Sequence, residues 1–196
     1  MENNDEIRLS LPKNLYDKIE EDVVKLHIEL NLTIPVKPMD VAGKLGFIVR
    51  KFSDLLGGDV DIDKLRIGSD GKRRDGLSYY DNKINTYVIW VNDIDTFYEE
   101  HDNFTIMHEI GHIRMGHKGD SQLAEMVANY YAAYSLVPSP LPKIYKCSSF
   151  IDIIDVFEVS IDCGYNCFKR YMNWSMYSGK MKQYEKDLIA YYNIII

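Results

Sequence analysis

His108-Glu109-Ile110-Gly111-His112 is the stretch of this sequence best suited to chemistry. On a helix, residues i and i+4 share a face, so both imidazoles can reach one metal ion. The Glu between them projects beside the ion's open position. There it can take a proton from a bound water and pass it to a leaving amine. Two neutral imidazoles and a carboxylate around a divalent ion leave the centre net positive, which acidifies water and polarises a carbonyl. The pattern points to metal-assisted hydrolysis, with zinc as the expected metal and manganese as the alternative.

A hydrolytic zinc site takes three protein ligands and keeps a fourth position open. Glu125 is the leading candidate for the third. Residues 116–120 can turn the chain back into an antiparallel helix, and His112 and Glu125 lie at similar distances from that turn. Asn129 shares the face of Glu125 and can hydrogen-bond a ligand histidine. Among the competitors, His117 falls off the ligand face and Asp120 reads as the N-cap of the next helix. His101 and His27 read as surface or packing histidines. A donor to the substrate carbonyl is also needed, and Tyr79, Tyr80, Tyr98 and Tyr134 are candidates. The strand ending at Asn92 precedes the motif; if it lies at a sheet edge, it can hold a peptide in extended form, with Asn92 at its end.

The motif works only on a helix, and apolar positions at Phe104, Met107, Ile110 and Met115 predict one over 103–115. Asp102 or Asn103 is the expected N-cap and Gly116 the expected stop. A second helix is predicted over 121–136, ending before Pro138. Upstream, Leu15, Ile19, Val23, Leu26 and Leu30 predict an amphipathic helix. A short helix over 40–45 and a strand over 47–52 follow. Residues 53–76 read as loop, with strands over 77–81 and 84–92 forming a hairpin. From 141 onward the pattern is helical, and the apolar end Ile194-Ile195-Ile196 is expected to pack on the body. The predicted class is α+β: a small antiparallel sheet packed on helices, with the motif helix beside it and a helical C-terminal appendage. Residues 1–140 would form the catalytic domain and 141–196 the appendage.

A formal net charge of −7 argues against a direct nucleic-acid partner. The basic run Lys72-Arg73-Arg74 sits between Asp70 and Asp75 and reads as a solvated loop. Three cysteines, Cys147, Cys163 and Cys167, make no disulfide framework. No apolar run is long enough to span a membrane, so a cytoplasmic location is expected.

Three further runs sharpen the reading: Phe104-Thr105-Ile106-Met107-His108-Glu109-Ile110-Gly111-His112, then Glu125-Met126-Val127-Ala128-Asn129-Tyr130-Tyr131-Ala132-Ala133, then Leu136-Val137-Pro138. Together they resemble the ImmA/IrrE metallopeptidases over roughly residues 38–174, with Tyr131 standing where Phe is usual. The resemblance implies a gluzincin-like fold, zinc on His108, His112 and Glu125, and Glu109 as base. It also implies a protein substrate, commonly a helix-turn-helix repressor whose cleavage induces a mobile element, a phage or a stress response. The alternative is a module that binds a repressor without cutting it, its zinc serving structure. An intact Glu109 favours the enzyme, because a structural site needs no base.

Overall fold

The computed structural model describes residues 10–58, 61–68, 71–95, 98–119 and 121–195. Pro12 leads into α1 (Lys13–Glu29), which buries Ile19, Val23, Val24, Leu26 and His27. Pro38 opens α2 (Pro38–Lys44), and Gly46 in the left-handed region turns the chain into β1 (Ile48–Lys51). The loop that follows contains one helical turn, α3 (Ile62–Leu65). A hairpin then pairs β2 (Gly76–Asp81) with β3 (Thr86–Val91). Next come α4 (Glu99–Met115) and α5 (Gln122–Leu136). The chain closes with α6 (Leu141–Ile144), α7 (Phe150–Phe157), α8 (Ile161–Tyr177) and α9 (Gln183–Ile195). The architecture is α+β, with a three-stranded sheet packed against helices. No helix among the described residues is long and apolar enough to cross a membrane.

Four local expectations need correction. The sheet is mixed: β2 and β3 are antiparallel, but β1 joins the other side of β3 in parallel, Ile48 opposite Val88. The strand leading to Asn92 is therefore central, and the edge beside the motif helix belongs to β2. The second hairpin strand begins at Thr86, because Asn85 takes a left-handed conformation that completes the turn. The motif helix starts earlier than its apolar pattern, after Tyr98. Glu99, Glu100 and Asp102 occupy its first turn, where the exposed N–H groups favour negative charge. Ile194 is 83% exposed and so does not pack on the body, while the Ile195 side chain and Ile196 lie outside the described residues.

One hydrophobic core runs through the described residues. It joins α1 (Ile19, Val23), β3 (Ile89, Val91), α4 (Met107, Ile110), α5 (Tyr131, Ala132) and α9 (Leu188, Tyr192). Beside α9, His27 is fully buried, with Nδ1 2.8 Å from Tyr192 Oη and Nε2 2.9 Å from the Ser135 carbonyl. Nε2–H therefore donates to the carbonyl and Nδ1 accepts from the phenol, which satisfies a neutral ring on both sides. Burial pushes its pKa down to about 4, against the weaker opposing effect of the Ser135 carbonyl. As pH falls below about 6.5, the unfolded chain takes up a proton that the folded chain refuses. Stability should drop by about 2–3 kcal/mol between pH 7.5 and 4.5 from this residue alone. Thermal melts across that range should show a flatter pH dependence for His27→Gln than for wild type, even though the variant starts less stable. Equal slopes would remove His27 as the cause.

Candidate metal centre

The motif lies in the last half of α4, and α5 runs back antiparallel along it. Two small residues make this arrangement possible. Gly116 takes φ 71° and ends α4, a left-handed step that glycine makes without a Cβ clash. Gly111 lies against the ring of Tyr131, and a Cβ there would stand 2.9 Å from Tyr131 Cβ. The absence of that atom lets α5 approach α4 closely. Ser121 starts α5 by accepting from the Ala124 N–H at 3.1 Å. Asp120, read from sequence as that cap, lies outside the described residues.

The close approach brings Glu125 to the two motif histidines. Its carboxylate oxygens lie 3.3 Å from His108 Nε2 and 3.3 Å from His112 Nε2, and the two Nε2 atoms are 2.9 Å apart. Among the described residues, these three form the only group of His, Cys, Asp or Glu donors that converges, with all donor atoms within 4.8 Å of one another. A tetrahedral ion with bonds of about 2.0–2.1 Å separates its donors by roughly 3.3–3.4 Å. The two oxygen–nitrogen separations match that spacing while the Nε2 pair lies closer, and the donor set fits a small divalent metal with one position left for water or substrate. Asn129 Oδ1 lies 3.0 Å from His108 Nδ1. An amide oxygen can only accept, so this contact holds the proton on Nδ1 and leaves Nε2 bare. Burial lowers the pKa of His108, outweighing the Asn129 hydrogen bond, so the ring is neutral at pH 7.

Glu109 is 7% exposed and faces the sheet. Ser78, on β2, donates to its Oε2 at 2.6 Å. Two residues earlier, Gly76 lets the strand touch the helix: a Cβ there would stand 2.6 Å from Thr105 Cγ2 and 2.8 Å from the Trp90 carbonyl. β2 therefore crosses directly over the base, and among the described residues no strand pairs with its outer edge. Sequence reasoning passed over Ser78, because its role depends on the hairpin register that puts it opposite Ile89 on the helix-facing side. It also treated His117 as a bystander. His117 Nδ1 lies 3.0 Å from His112 Nδ1, on the outer side of that ring.

The remaining sequence candidates lie away from this group. Tyr79 points to the face of β2 opposite Ser78. Tyr80 shares the face of Ser78 but is tied to the hairpin end, donating to Asn85 Oδ1 at 2.6 Å with its ring against Tyr87. Tyr134 is fully buried beside Arg170, so it cannot meet a substrate. Tyr98 is the exposed residue preceding α4. Asn92 is 2% exposed and donates to the Arg74 carbonyl and to Asp95 Oδ2, each at 2.9 Å. It fastens the loop after β3 to the segment before β2. His101 sits 3.4 Å from Asp75.

Among protein families, the model of the IrrE N-terminal-like domain, Peptidase_M78, matches residues 59–160, just over half of the 196-residue chain. The matched span includes β2, β3, α4 and α5, and so every residue of the centre described above. No curated protein matches the chain significantly.

Proposed function

Because the chain belongs to the IrrE N-terminal-like family, Peptidase_M78, we propose that it is a zinc-dependent endopeptidase that cleaves a helix-turn-helix repressor in the cytoplasm. The observation that carries the reading is the convergence of His108, His112 and Glu125 with Glu109 alongside. His108 and His112 would hold the metal through Nε2 and Glu125 through its carboxylate. Zinc, when bound there, would supply a Lewis acid that activates water and polarises the scissile carbonyl. Every other step falls to the protein. Glu109 accepts the proton lost by the attacking water and returns it to the departing amine. Ser78 donates to Oε2 of Glu109 and so orients the carboxylate. The open edge of β2 offers backbone N–H and C=O groups to an extended substrate segment, passing it over Glu109. A helix-turn-helix protein can present such a segment at a linker.

The test starts from protein stripped of metal with a chelator and then supplied with zinc or manganese. Each form is incubated with candidate helix-turn-helix repressors. Zinc is expected to restore a single cut, which mass spectrometry locates. A repressor that stays intact with every metal, yet binds and leaves its DNA, would establish the non-catalytic module instead.

A further inference from the structure

Beyond the ligands and the base, the outer nitrogen of each ligand histidine has a partner, and the two partners are chemically different. His108 meets an amide oxygen, whereas His112 meets another imidazole. The approach of His117 follows from the end of α4. With Gly116 left-handed, the His117 N–H bonds back to the His112 carbonyl at 3.0 Å. That bond folds a residue five positions on over the turn, and its side chain returns to the ring of His112. The rings sit 4.9 Å apart, nearly edge to face at 77°. His117 is therefore held to His112 by both backbone and side chain. Its Nδ1 points at the outer side of the ring, away from the converging Nε2 atoms, so it is placed as a partner of a ligand and not as a ligand.

We propose that His117 is a positioning residue of the metal centre, accepting a hydrogen bond from His112 Nδ1–H and so fixing the tautomer whose Nε2 is bare. This rests on the metal-centre reading above. His112 can give Nε2 to a cation only if its proton is on Nδ1. That proton, 3.0 Å from a second imidazole nitrogen, needs an acceptor there. His117 supplies one when its own proton sits on Nε2. Asn129 does the same for His108, so the two ligand rings are oriented from opposite sides by different chemistry.

Zinc affinity, measured by competition with a chromogenic chelator, tests the assignment on wild type, His117→Phe and His117→Gln. The Phe ring fills the space but accepts nothing, and affinity should fall about 10- to 100-fold. The Gln oxygen accepts the same hydrogen bond and should recover most of the loss. Cobalt-loaded His117→Phe should show shifted visible bands, and nitrogen NMR of zinc-loaded wild type should find the His117 proton on Nε2. A Phe variant within twofold of wild type, or a His117 proton on Nδ1 in the loaded protein, overturns the proposal. Melting curves in chelator control for folding, with His117→Ala replacing Phe if the latter does not fold. Wild type that takes up no zinc overturns the metal-centre reading and this one with it. Tight wild-type binding with unaffected variants overturns the role of His117 alone.

Discussion

Glu109→Gln is expected to lower kcat/KM for the proposed peptide-bond cleavage by about 10²- to 10⁴-fold, the usual contribution of a positioned general base. Nearly everything except the proton chemistry is preserved. Gln has the same shape, so the close packing among Glu109, Thr105 and Gly76 survives. The hydroxyl of Ser78 can still donate to the amide oxygen in place of Oε2. His108, His112 and Glu125 are untouched, so zinc affinity should stay within a few-fold of wild type, and so should affinity for the substrate. The loss should therefore fall in kcat. Single-turnover cleavage beside a zinc titration separates the two quantities. If Glu109→Gln lost its metal as well, the carboxylate would be holding the centre together and its role as base would need another demonstration. If the variant cut at the wild-type rate, Glu109 would not be the base at all.

The same region shows which parts of such a site can be read from a sequence. His108 and His112 share a face because they are four apart on one helix, and that local rule needs no tertiary information. The C-terminal end of α5 was equally legible, from a proline stop, but its cap is Ser121, one residue after the Asp120 expected from sequence. Beyond one element the rules weaken. Which strand forms the sheet edge depends on β1 entering parallel to β3, a pairing between residues about forty positions apart that no local pattern encodes. That pairing moved the edge from the strand ending at Asn92 to β2, and with it went Ser78 and Gly76. His117 was missed for a subtler reason. A helical wheel puts i+5 off the ligand face, but the wheel ceases to apply once Gly116 turns left-handed. The Gly-His pair directly after the helix was the available signal. The tyrosines misled because abundance says nothing of direction: Tyr134 faces the core, Tyr79 the far side of β2.

Gly111→Val is expected to destabilise the fold by about 3 kcal/mol and to weaken metal binding in the fraction that folds. The reasoning is a contest between two effects of opposite sign. Glycine inside a helix costs about 1 kcal/mol relative to alanine, so replacing it should by itself stabilise α4. Gly43 in α2 provides the uncontested case: a Cβ there meets nothing within 4 Å, and Gly43→Ala should raise stability by up to about 1 kcal/mol. At Gly111 a Cβ would lie 2.9, 3.0 and 3.1 Å from Cβ, Cγ and Cδ1 of Tyr131. These atoms are the root of a fully buried side chain, so no rotamer change clears them. The ring is fixed at its other end too, since its hydroxyl lies 2.9 Å from Asp22, which grips Arg114 through two contacts of 2.7 Å. Relief can come only from moving α5 away from α4, and α5 carries Glu125 and Asn129. Alanine should give a smaller loss than valine, because steric crowding then exceeds the propensity gain by less. For a chain of this size each kcal/mol corresponds to about 2–4 °C in Tm. Melts of chelator-treated Gly43→Ala, Gly111→Ala and Gly111→Val therefore form a series with a sign change in it. A rise in Tm at both glycines would mean that Tyr131 yields without moving the helix, and that the packing of α5 on α4 does not depend on a bare backbone at Gly111.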